Sequence, residues 1–162
     1  ESESCDRYIA NLSLMIVPEP EKQISEAYRV LQPGGRAVAS VWGRKEHSTY
    51  FWLPMQVQEE IGIETSGDRS NFHLNDPEKL KALFEEAGFS QVRTWYETRR
   101  YPIFTGLDYV NSLSTPGWLK RIANWGEKGA LFKKRLEERA QEILDNGEFL
   151  TFDNLAILAF KQ

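Results

Sequence analysis

The chain has 162 residues, 41% hydrophobic and 27% charged, with a net charge of −4. That length can bury a core of its own, and the acidic balance argues against nucleic acid or an anionic membrane as a partner, since both call for a basic face. No apolar run approaches the roughly 18 residues of a membrane span, and the single cysteine, Cys5, excludes an internal disulfide or a cysteine-based metal site and fits a reduced, cytoplasmic setting.

Residues 5–14 (CDRYIANLSL) read as a buried strand and residues 19–31 (EPEKQISEAYRVL) as a helix. Ile24, Ala27, Tyr28 and Leu31 form its apolar stripe. Pro20 suits its first turn, and Pro33, Gly34 and Gly35 close it. Residues 36–42 (RAVASVW) then read as a second buried strand, which makes a strand–helix–strand unit of the kind found inside open parallel sheets. A polar loop at 43–47 leads to an aromatic-rich segment at 50–61, expected to be a short helix broken near Pro54. Residues 62–71 read as a polar, disordered loop. Asp76 followed by Pro77 signals a helix start, with Leu80, Leu83, Phe84 and Ala87 as its stripe and Gly88 at its end. Residues 91–101 alternate as a strand, 105–114, 118–125 and 130–144 read as helices, and 149–161 as a final strand.

The run DRYIANLSLMIVPEPEKQISEAYRVLQPGGRAVASVWG resembles the second half of class I S-adenosylmethionine-dependent methyltransferases, in particular the small-molecule branch related to ubiquinone and menaquinone biosynthesis. The likeness rests on Asp6 opening a strand, on Ala10-Asn11-Leu12 ending it, and on the turn Leu31-Gln32-Pro33-Gly34-Gly35. Ala87-Gly88-Phe89 before a later strand adds to it. The resemblance implies an α/β, partial Rossmann-like fold with two parallel strands, an antiparallel edge pair and helices packed on the sheet. It implies one domain over 1–162, with 44–75 as an insert or lid and 104–147 as a helical substrate cap. The implied cofactor is S-adenosylmethionine, and the implied reaction of the intact protein is methyl transfer to a small-molecule O, N or C acceptor.

In open parallel sheets ligands bind beyond the carboxyl ends of the strands. By resemblance, Ala10, Asn11 and Leu12 contact the cofactor there and Met15 lines the same cavity. Trp42, Tyr50, Phe51 and Trp52 form an aromatic wall suited to an apolar acceptor and to a sulfonium cation, or else a local hydrophobic cluster. His47 could take the acceptor's proton, or simply be solvated. Trp118, Ile122 and Trp125 share a helix face that packs the cap onto the sheet or touches substrate. The mixed charges at 133–139 read as a solvated helix face. Two histidines and one cysteine, unclustered, make no metal site.

The family's glycine-rich cofactor loop and its ribose-binding acid have no counterpart in these residues, so an incomplete half of the fold is expected. Residues 8–14 would then offer an open apolar strand edge, to be paired by a second copy or by a missing half. The alternative function is a catalytically empty interaction or dimerisation module that retains half of the fold.

Overall fold

The computed structural model describes residues 1–64 and 70–162; residues 65–69, inside the loop expected at 62–71, lie outside the described residues. Contacts divide the chain into two units. One comprises Glu1–Lys45, Arg69–Thr98 and Asp153–Gln162, the other Glu46–Asp68 and Arg99–Phe152. Where the sequence suggested one domain carrying an insert and a cap, most of the insert and all of the cap fall in the second unit.

In the first unit, Pro20, Ile24 and Ala27 are the buried residues of α1 (Pro20–Val30). Pro20 sits in the first turn, where a missing N–H costs nothing, and Glu21 meets the positive end of the dipole. Leu31 caps the helix in extended backbone and is also the first residue of β2 (Leu31–Trp42). Gly34, at φ 79°, absorbs the turn inside that strand. The pairing of β2 with β1 (Cys5–Asn11) slips there, between Cys5↔Leu31 and Arg7↔Arg36.

The sheet runs β1-β2-β4-β3, with β3 at Ser90–Arg100 and β4 at Thr151–Phe160. β1 and β2 are parallel, and β4 is antiparallel to β2. Ser90 Oγ donates to Phe160 O and Thr98 Oγ1 to Asp153 Oδ1, which sets β3 antiparallel to β4. This is the expected arrangement of two parallel strands and an antiparallel edge pair. One row across three strands is Ala10, Ala39 and Ile157, all buried. It packs in a single cluster with Ile24 and Ala27 of α1 and with Leu80 and Phe84 of α3 (Pro77–Glu86). Asp76 caps α3 by accepting from the N–H groups of Glu78 and Lys79.

The next row is Ile9, Val38 and Leu158 on the opposite face, where Ile9 is 77% exposed. The expected buried strand at 5–14 is therefore corrected in extent and environment. β1 ends at Asn11, and Ala10 is its one buried residue. Helices cover one face of this sheet in the first unit, so alternate positions on β1 stay wet. Leu14 and Met15 are buried beyond the strand's end.

The second unit is helical: α2 (Thr49–Glu60), α4 (Gly106–Ser112), α5 (Pro116–Ala123) and α6 (Glu127–Asp145). Phe132, Leu136 and Ala140 of α6 share a core with Leu53 and Val57 of α2 and with Tyr109 of α4. α2 is not broken near Pro54, contrary to expectation; it runs through it. Proline removes the N–H that would bond the carbonyl four residues back, that of Tyr50. That carbonyl instead accepts from Tyr109 Oη at 2.6 Å, so no backbone acceptor is left buried and empty. Among the described residues, no helix is long and apolar enough to cross a membrane.

Candidate functional site

In the first unit, the carboxyl ends of β1 and β2 carry a small polar constellation. Asn11 and Ser40 are register partners on the face opposite α1 and α3. Ser40 Oγ accepts from Leu12 N at 3.2 Å and lies 2.6 Å from Asn11 Oδ1. A hydroxyl has one proton, and with the Leu12 N–H already a donor, that proton goes to Asn11 Oδ1. The amide orientation is thereby fixed, and among the described residues nothing accepts from Asn11 Nδ2. Leu12 holds φ 51°, a left-handed conformation that is costly for a branched side chain and is kept here by its N–H bonds to Ser40 O and Oγ. Ala10 and Met15, the neighbouring candidates, are 4% exposed each and belong to the helix-side core.

Trp42 ends β2 with its ring edge-on to Phe72, centroids 4.9 Å apart. Just beyond, Gly43 N donates to Asp153 O, and a Cβ at Gly43 would stand 2.5 Å from Asp153 Oδ2. Asp153 is fully buried and accepts from Arg44 N, Arg44 Nε and Thr98 Oγ1 at 2.8, 2.9 and 2.6 Å. Burial alone would raise this carboxyl's pKa; the hydrogen bonds from Arg44 and Thr98 outweigh it and hold it below the usual value. The Arg44 guanidinium lies over the Tyr96 ring, 4.4 Å from its centroid. This clamp fixes the segment leaving β2. Sequence reasoning missed Ser40, Arg44 and Asp153. The available signals were a lone hydroxyl in an Ala/Val strand and a lone acid in the apolar run at 149–161.

In the second unit, Tyr50 and Phe51 do come together, with partners that sequence reasoning left out. Tyr50 stacks on Tyr101 with centroids 3.9 Å apart, and Phe51 meets Tyr50 edge-on at 4.9 Å. These rings line a cleft of about 560 Å³ with Ser112, Trp118 and Arg121. Tyr101's hydroxyl pKa is raised, first by burial and then by Tyr50, so it stays a donor at neutral pH. Trp52 lines a different hollow, with Met55, Glu59 and Ile63. Trp118 and Trp125 both set their rings edge-on to Phe132 of α6, at 5.8 and 5.1 Å. His47 lies exposed in the 3-10 turn Lys45–His47, and among the described residues no group orients its ring. The charges at 133–139 are more engaged than a solvated face suggests: Arg135 reaches across to Glu60 of α2 as well as to Glu138. Among the described residues, no three His, Cys, Asp or Glu side chains are grouped to hold a metal.

Residues 1–39 match the family model described as a methyltransferase domain. The chain is 29% identical over 101 residues to the ubiquinone/menaquinone biosynthesis C-methyltransferase UbiE of Methylobacterium nodulans, a match covering 55% of this chain and 40% of that protein. It is likewise 29% identical over 104 residues to the enzyme of the same name from Brucella anthropi, covering 57% and 40%. The matched stretch thus spans about two fifths of the length of these relatives. Among solved structures, a Haemonchus contortus phosphoethanolamine N-methyltransferase 2 is 17% identical with TM-score 0.49, covering 99% of this chain and 34% of that one. A possible histamine N-methyltransferase from Thermotoga maritima is 17% identical with TM-score 0.47, covering 100% and 58%. The chain is thus similar, in its matched stretch, to methyltransferase domains.

Proposed function

We propose that the protein transfers a methyl group from S-adenosylmethionine to a small-molecule O, N or C acceptor. The observation that carries this reading is the Asn11–Leu12–Ser40 constellation at the carboxyl ends of parallel strands, within a stretch of methyltransferase sequence. When bound, the cofactor supplies an electrophilic methyl group on a sulfonium. The residues present suit it: Asn11 Nδ2 is a fixed donor for a carboxylate or hydroxyl of the cofactor, and Ser40 fixes the left-handed backbone at Leu12 by bonding its N–H. Ala10 and Met15 contribute to that end as buried supports for its backbone.

Acceptor recognition falls to the second unit's aromatic cleft, built on Tyr50, Phe51, Tyr101 and Trp118. Trp42 and Trp52 enter the proposal only as aromatic surfaces of their own neighbourhoods. The chain's own contribution to the rate is alignment and exclusion of water, since a direct displacement needs its reactants held in line. His47 is the titratable group available for an acceptor proton, but it is unrestrained, so a base is required only for acceptors that are not already nucleophilic. A small molecule rather than nucleic acid fits the net charge of −4. A reduced, cytoplasmic setting belongs to the same proposal, resting on the single free thiol of Cys5.

Calorimetry with S-adenosylhomocysteine on this chain, and on the full product of its reading frame, tests the reading. Binding by either supports it. Binding by neither moves the protein to the interaction module that keeps the fold without the cofactor. Pairing of β1 with a second copy is a further proposal, favoured by Ile9 at 77% exposure beside an outer edge that, among the described residues, bonds to no strand. Sedimentation of a monomer at all concentrations, with freely exchanging amides at 8–11, would rule it out.

A further inference from the structure

The second unit's cleft is chemically one-sided. Tyr50 and Tyr101 stack with 17° between their planes and offer a flat aromatic surface, with Trp118 also lining the cleft. Tyr50's hydroxyl is committed: Ser112 Oγ donates to Tyr109 O at 2.7 Å, so at 2.9 Å it accepts from Tyr50 Oη. Tyr101's hydroxyl has no partner among the described residues. The lining holds one charged group, Arg121, and no acid. Arg121's guanidinium lies 5.6 Å from the Trp118 ring centroid and 5.9 Å from that of Trp125, within cation–π range of both rings. Among the described residues it has no carboxylate partner, so its N–H groups are unused. An aromatic cage for a cation would carry no arginine; this one does, and the volume of about 560 Å³ suits a small molecule.

We propose that this cleft takes a planar aromatic ligand bearing a carboxylate or similar anionic group. The ring lies against the tyrosine pair, the anion meets Arg121, and Tyr101 donates its free hydroxyl. This rests on reading the cleft as the acceptor site, but binding can be measured without cofactor. The probes are 2-naphthoate and the uncharged 2-naphthol, titrated calorimetrically into the full 162-residue chain and into the exposed-site variant Arg121→Gln and the variant Tyr101→Phe, each first shown to melt like the parent. The expected result is 2-naphthoate binding about fivefold more tightly than 2-naphthol. Arg121→Gln should abolish that preference while leaving 2-naphthol unchanged, and Tyr101→Phe should weaken 2-naphthoate. Equal binding of the two probes, or a silent Arg121→Gln, overturns the anionic class. No binding of either probe at millimolar concentration overturns the cleft as a ligand site. Failure of methyl transfer with the probe results intact overturns the acceptor reading alone.

Discussion

The two units hold their shape by different means. In the first, polar groups at strand and helix ends fix the backbone. Asp153 gathers Arg44 and Thr98, Ser40 ties Leu12 to Asn11, and Lys161, only 7% exposed, donates to the carbonyls of Tyr28 and Leu31 at the end of α1. In the second, aromatic rings pack on one another, and the polar bonds that matter serve a tyrosine hydroxyl each. A unit fixed at its strand ends presents backbone and small polar groups to a ligand. A unit fixed by rings presents faces. On the proposed function, the first would serve a polar cofactor and the second an apolar or aromatic acceptor.

Removing Asp153 is the sharpest way to break the first unit. Asp153→Ala leaves the Arg44 guanidinium and backbone N–H and the Thr98 hydroxyl without their acceptor, and should cost about 3 kcal/mol in urea unfolding. The figure lies at the low end for a buried pair because Arg44 is about one-third exposed and water screens part of the loss. The same carboxyl sets a pH dependence. Its folded pKa lies below the unfolded one, so its stabilisation is complete above the unfolded value of about 3.9 and is lost as pH falls through the lower folded value. Acid unfolding of Asp153→Asn should therefore lack a transition component below about pH 4 that the parent shows.

The second unit is tested next. Tyr109→Phe removes the hydroxyl that satisfies the Tyr50 carbonyl exposed by Pro54, and should cost about 1.5 kcal/mol. In a Pro54→Ala background the helix supplies its own N–H to that carbonyl, so Tyr109→Phe should cost measurably less there; equal costs in both backgrounds would refute the coupling. Ser40→Ala should cost about 1 kcal/mol, since Leu12 N keeps its bond to Ser40 O, but it should release the Asn11 amide and weaken S-adenosylhomocysteine binding. His47→Ala, at an exposed and unpartnered ring, should change stability by less than about 0.5 kcal/mol. A loss of about a hundredfold in methyl transfer by that variant would instead make His47 the base.

The same contrast explains what could be read in the sequence. The first unit's strands, the helix from Pro20 and the cap at Asp76 were legible because period, turn residues and caps are local signals. The burial of β1 was misread because alternation along Tyr8–Asn11 tells which residues share a face, but not which face is covered. Pro54 was misread because the rescue of its orphaned carbonyl comes from Tyr109, 59 residues along the chain from Tyr50. At the proposed site, Asn11's place near a strand end could be read from the sequence, whereas its bond to Ser40 follows only from strand register. Tyr50 and Phe51 stood out as an aromatic run; Tyr101 and Arg121 joined them only through tertiary packing.

The most direct test is a titration of the labelled chain with S-adenosylhomocysteine, followed by nuclear magnetic resonance at the side-chain amide of Asn11 and the backbone amides of Leu12 and Ser40. Saturable shifts at all three, with the Asn11 NH2 protons slowed in exchange, are the predicted result. Saturable binding that leaves these three unmoved and shifts residues elsewhere would contradict the site proposed at the ends of β1 and β2.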